Sequence, residues 1–217
     1  MAEHRISVKK SARYFTLGQP GRAVREVWVV LHGYAQLAER FLARFAALES
    51  PERLIVAPEA LSRFYIEDGK HSKVGASWMT REDRLADIAD YLAFLDQVQD
   101  EVRASLDGGR ATLKVLGYSQ GAATACRWTA MGKATVARLV IWGGEVPPDL
   151  DLRAARARLT VADLTLVYGA SDDYFTSKVV KATEARLREA EIPFRPVSYE
   201  GGHELDDGVL REIVSRA

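Results

Sequence analysis

The chain has 217 residues, 47% of them hydrophobic, and its 30 Lys and Arg balance 30 Asp and Glu. That length and apolar content suit one domain with a sizeable core, and zero net charge removes the electrostatic case for a nucleic acid or an anionic membrane as partner. A single cysteine, Cys126, excludes an internal disulfide and a four-cysteine metal site, and no apolar run approaches the roughly 20 residues that a bilayer span needs.

The first ten residues, Met1 to Lys10, carry charges where a signal peptide needs an apolar stretch, so a cytoplasmic protein is expected. Residues 12–17 predict a short strand, ended by Gly18-Gln19-Pro20-Gly21. Residues 24–31 are nearly all apolar and β-rich, as in a strand buried on both faces of a mostly parallel sheet, and His32-Gly33 breaks them. Helical spacing of Leu37, Phe41, Leu42, Phe45 and Leu48 predicts a helix over 36–48, and Leu54-Ile55-Val56-Ala57 a strand stopped by Pro58. Residues 59–80 read as one long connection without an element, a length more often met in functional loops. A long helix is expected over 81–106, with Leu85, Ile88, Leu92, Leu95, Val98 and Val102 as its buried stripe.

A strand ending in Leu116-Gly117-Tyr118-Ser119-Gln120-Gly121 comes next, and Ala122 to Ala125 open a helix reaching about Met131. Strands follow at 136–142, 164–168 and 194–199, with helices expected around 152–158, 176–191 and 205–217. Strands alternating with helices from residue 24 onward predict an α/β class domain: a mostly parallel twisted sheet with helices on both faces.

Strand, sharp turn, helix is the context that gives a G-x-S-x-G match its meaning, with the serine at the apex and its Oγ above the sheet. A serine hydroxyl needs a base, and there are four histidines. His4 and His71 lie in polar surroundings, and His32 follows a buried strand where an imidazole props up a loop. His203 follows Gly201-Gly202 at the C-terminal end of the last strand, the side on which open α/β sheets bind ligands. The base needs an acid to orient it. Asp172 and Asp173 both follow the 164–168 strand, and each is also a good helix cap. The order Ser119, Asp172 or Asp173, His203 is that of the α/β-hydrolase fold. The oxyanion donors expected are two backbone N–H groups, of Gln120 at a helix N-terminus and of Tyr34 in the turn after His32-Gly33. Cys126, inside a helix, reads as structural. Tyr65, Trp78, Trp142 and Phe175 fall in loops near this edge and are candidates to line a substrate pocket.

Leu31-His32-Gly33, Gly117-Tyr118-Ser119-Gln120-Gly121 and Gly202-His203-Glu204 resemble the carboxylesterase/phospholipase family that includes acyl-protein thioesterases. Gly169-Ala170-Ser171-Asp172 is similar to that family's acid loop, which selects Asp172, and Gly144-Glu145-Val146-Pro147 to its glycine and proline loop. The resemblance implies a single α/β-hydrolase domain over 1–217 that hydrolyses carboxylic esters or thioesters through an acyl-enzyme, with no metal or organic cofactor. No insertion longer than 59–80 is available for a separate lid domain, which favours small or short-chain acyl substrates. A small-molecule ester or thioester is the partner expected, and a homodimer is left open. The same triad serves lactones and peptides. A non-catalytic binding protein on this fold is the alternative from another class.

Overall fold

The computed structural model describes residues 1–67, 69 and 71–215. Seven strands form one sheet: β1 (Tyr14–Leu17), β2 (Glu26–Leu31), β3 (Arg53–Pro58), β6 (Thr112–Tyr118), β7 (Arg138–Trp142), β8 (Leu164–Gly169) and β9 (Phe194–Tyr199). Their spatial order is β1-β3-β2-β6-β7-β8-β9, and only β1 runs antiparallel to its neighbour. The chain steps outward from β2 to β3, then returns to place β6 on the other flank of β2. The direction of winding therefore reverses between β2 and β6, and the crevice beyond their C-terminal ends is where such sheets bind ligands.

Residue alternation explains why the central strands are apolar throughout. Val27, Val29 and Leu31 of β2 face one layer with Leu54, Val56 and Val115. Trp28 and Val30 face the opposite layer with Ile55, Leu116 and Val140. The first layer is covered by α2 (Arg84–Ala104), α3 (Gln120–Met131), α4 (Leu152–Val161) and α5 (Ser177–Glu189). The second is covered by α1 (Ala38–Leu42), its 3₁₀ continuation Ala43–Leu48, and α6 (Asp207–Ser215). Val30, Leu31, Val56, Leu116 and Ile141 are fully buried, each stabilising the fold by on the order of 2 kcal/mol.

Three expectations need correction. Residues 59–80 are not a plain loop: β4 (Ser62–Tyr65) and β5 (Val74–Ser77) pair as an antiparallel hairpin of their own. The helix expected over 36–48 is five α-helical residues followed by a 3₁₀ segment. Leu85 does not belong to the buried stripe of α2, being 69% exposed, whereas Tyr91 is buried there. The last helix is described to Ser215, so the end expected for it lies outside the described residues. Pro196 is accommodated because β9 is the sheet's edge strand, where a missing N–H breaks no ladder.

Candidate active site

Ser119 stands between β6 and α3 with φ 54° and ψ −117°, a left-handed conformation for a residue with a β-carbon. The glycines on either side make that turn feasible. A β-carbon on Gly117 would lie 2.2 Å from the Gly121 carbonyl oxygen, and one on Gly121 would lie 2.2 Å from that of Leu31. The Ser119 N–H donates to the Trp142 carbonyl at 2.8 Å, tying the apex to the end of β7.

His203 lies beside it. Its Nε2 is 2.9 Å from Ser119 Oγ, and its Nδ1 is 2.8 Å from Asp172 Oδ2. The carboxylate can only accept, so Nδ1 carries the proton and Nε2 is free to accept from the hydroxyl. The other carboxylate oxygen, Oδ1, accepts the N–H groups of Tyr174 at 2.8 Å and Phe175 at 2.7 Å. Asp172 has 1% of its side chain exposed, whereas Asp173 is exposed. The two loops that carry acid and base meet backbone to backbone: Ser171 N–H donates to Gly201 O, and a β-carbon on Gly169 would fall 2.3 Å from Gly202 O.

The turn after β2 runs directly past the serine, for a β-carbon on Gly33 would lie 3.2 Å from Ser119 Cβ. Gln36 shapes this turn, its Oε1 accepting the Gly33 N–H at 2.8 Å, while Ala35 at φ 61° donates its N–H to Ala76 O. Neither the Tyr34 N–H nor the Gln120 N–H has an acceptor among the described residues. The Gln120 side chain has a separate task. Its Oε1 accepts the Trp78 N–H at 3.0 Å and its Nε2 donates to Met79 O at 2.9 Å, pinning the strand end after β5 against α3.

An open cavity of about 450 Å³ adjoins His203, walled by Leu37 and Phe41 of the α1 region, by Ile66 and Val74 of the hairpin, and by Tyr118. None of the four aromatic residues expected to line a pocket lines it. Trp78 is buried, its indole N–H donating to the His32 carbonyl at 2.9 Å. Trp142 is buried too and donates to Glu204 O at 2.9 Å. Phe175 is buried against Tyr168, beside a separate cavity of about 240 Å³. Tyr65 is exposed on the hairpin against His71.

The reassignment of Trp142 exposes residues that sequence reasoning missed. Tyr118, Trp142 and Tyr199 each end a strand and each reach the turn that carries His203. Tyr118 Oη donates to His203 O at 2.7 Å, and Tyr199 Oη lies 2.6 Å from Glu204 O. Burial pushes the Tyr118 hydroxyl up to about 12, so it remains a donor. The imidazole itself sits between two rings, Tyr118 at 5.2 Å and the exposed Tyr174 at 4.9 Å. An aromatic at the last position of several strands was the available signal.

His32 has a structural role. It is fully buried, its Nδ1–H donates to Gly33 O at 2.8 Å, and its Nε2 accepts the Ala60 N–H at 3.1 Å. Cys126 is buried in α3, which pushes its thiol up to about 12. Among the described residues no three His, Cys, Asp or Glu side chains are grouped to hold a metal ion, and no helix is long and apolar enough to cross a membrane.

No family model matches the sequence, and no curated protein matches it. Solved structures do match. Zea mays acyl-protein thioesterase 2 superposes with a TM-score of 0.72 at 19% identity, over 94% of this chain and 96% of that one. Esterase PE8 gives 0.66 at 22% identity, over 95% and 100%. The Bacillus cereus carboxylesterase gives 0.69 at 16%, over 94% and 92%. The mostly parallel sheet flanked by helices, with its serine turn at the switch point, is the α/β-hydrolase fold that this chain shares with those esterases and thioesterases.

Proposed function

We propose that the protein hydrolyses carboxylic esters or thioesters with Ser119 as nucleophile, His203 as base and Asp172 as the acid that orients it. The observation that carries this reading is the unbroken chain Ser119 Oγ, His203 Nε2, His203 Nδ1, Asp172 Oδ2, with links of 2.9 and 2.8 Å, at a serine held in a strained turn. Ser119 Oγ attacks the acyl carbon and its proton passes to His203 Nε2. The imidazolium so formed is stabilised by Asp172, and it hands the proton to the leaving alcohol or thiol. The same histidine then draws a proton from water as its oxygen attacks the acyl carbon, and returns that proton to Ser119 Oγ as the acyl–Oγ bond breaks and the acid leaves.

The Tyr34 and Gln120 N–H groups hold the oxyanion of each tetrahedral intermediate. Their support is that both lack acceptors and lie on turns flanking the serine, with Gln120 also at the N-terminus of α3, whose dipole favours negative charge. The neighbours named as esterases and thioesterases support acyl transfer to water as the reaction class. A cavity open to the surface and an insertion that folds only as a hairpin favour small or short-chain acyl groups.

A p-nitrophenyl ester series of increasing acyl length, run beside Ser119→Ala, tests this. Activity is expected on the short esters and should fall by at least about a thousandfold in the variant. Retained activity in Ser119→Ala contradicts the nucleophile, and a steady rise to long chains contradicts the substrate class.

A further inference from the structure

The cavity beside His203 is not electrically neutral in its lining. Arg40, Arg44 and Lys73 line it, against one carboxylate, Glu204. Two of the cations are committed elsewhere. Arg44 Nη2 donates to Leu205 O and to Asp207 Oδ1 at 2.8 Å, and Lys73 Nζ pairs with Glu67 at 2.7 Å. Glu204 is an exposed carboxylate of the same lining, next to His203, and its Oε1 lies 2.9 Å from where a β-carbon on Gly201 would stand. Arg40 is different. It projects from α1, whose Ala38, Phe41 and Leu42 are buried in the core, and its guanidinium has no acceptor among the described residues. An exposed fork of five donors, unpaired among the described residues, therefore shares a cavity lining with the apolar Leu37, Phe41 and Val74.

We infer that the substrate cleaved at Ser119 carries a carboxylate that docks on Arg40 while the scissile bond lies at His203. The inference rests on the hydrolase reading above. A guanidinium binds a carboxylate through two parallel N–H bonds, which fixes orientation as well as charge. Low-dielectric walls on one side strengthen such a contact relative to open solvent. The carboxylate belongs to the acyl half or to the leaving alcohol, and the two are separable by experiment. A cationic substrate is disfavoured by the same residue.

The test compares kcat/KM for phenyl butyrate, which is neutral, with monophenyl adipate and 3-carboxyphenyl butyrate, which place the charge on the acyl and alcohol halves respectively. Wild type is expected to prefer one of the two charged esters by about tenfold or more at low ionic strength, and less in 0.5 M NaCl. Arg40→Gln should bring the charged-to-neutral ratio down at least about fivefold, and Arg40→Lys should retain part of it. Thermal melts of both variants establish that they fold. A ratio near one in wild type, or one unmoved by Arg40→Gln, means a solvated surface arginine and overturns the inference alone. Absence of Ser119-dependent hydrolysis of all three esters overturns the hydrolase reading and this inference with it.

Discussion

At the scale of single residues, two histidines at the same sheet edge are set apart by their hydrogen bonds. His203 has an acceptor on one nitrogen and a hydroxyl on the other, so both protonation states have partners. His32 can be satisfied only when neutral, because its Nε2 must accept from Ala60. Burial holds the His32 pKa below its ordinary value, opposed by the Gly33 carbonyl and the Glu59 charge. The folded state thus refuses a proton that the unfolded chain takes up. His32 contributes its stability fully above an unfolded value of about 6.5, and that contribution is lost as pH falls through the lower folded value. Urea midpoints measured from pH 7.5 to pH 5 in wild type and His32→Gln check this. The wild-type advantage should shrink as pH falls below about 6.5, with a slope of at most about 1.4 kcal/mol per pH unit, the limit for one proton. A gap independent of pH would contradict it.

At the scale of elements, the site depends on close backbone approaches that glycine alone allows. A β-carbon at Gly121 would sit inside the van der Waals shell of Leu31 O, backbone that cannot yield without moving β2. A β-carbon at Gly202 meets only Ser171 O, at an ordinary 3.7 Å. Gly121→Ala should therefore lower stability by at least about 2 kcal/mol, whereas Gly202→Ala should stay within about 1 kcal/mol of wild type. Chemical denaturation measures both, and equal losses would refute the assignment of Gly121 to strand–helix packing. The same elements show what sequence reading can and cannot reach. Continuous apolar strands such as Val27–Leu31 identify themselves, because burial on both faces leaves no polar position. The β4–β5 hairpin did not, since Ser62–Tyr65 alternates half-buried and exposed residues and Val74–Ser77 contains a glycine and two small residues. The hairpin is also tied to the site from outside itself, by the backbone bonds of Ala35 and Gln36 to Ala76 of β5. Trp78 and Trp142 misled for a related reason: a large aromatic at a strand end reads as pocket lining until its indole N–H is seen donating to a carbonyl of a neighbouring turn.

At the scale of the molecule, the sheet brings together groups distant in sequence. Ser119, Asp172 and His203 come from the ends of β6, β8 and β9, while the Tyr34 turn follows β2 across the switch point. Their order along the chain was readable from three short motifs; their separation in space was set by strand order, which no motif encodes. The central claim is that this arrangement makes Ser119 alone nucleophilic. Cys126, buried and held as a thiol, offers no competing nucleophile at neutral pH. The direct measurement is reaction of the folded protein with a fluorophosphonate probe, followed by peptide mass spectrometry. The account predicts one adduct per chain, on Ser119, absent from Ser119→Ala and from heat-unfolded protein. A folded wild-type protein that does not label, or that labels at another residue, would contradict it.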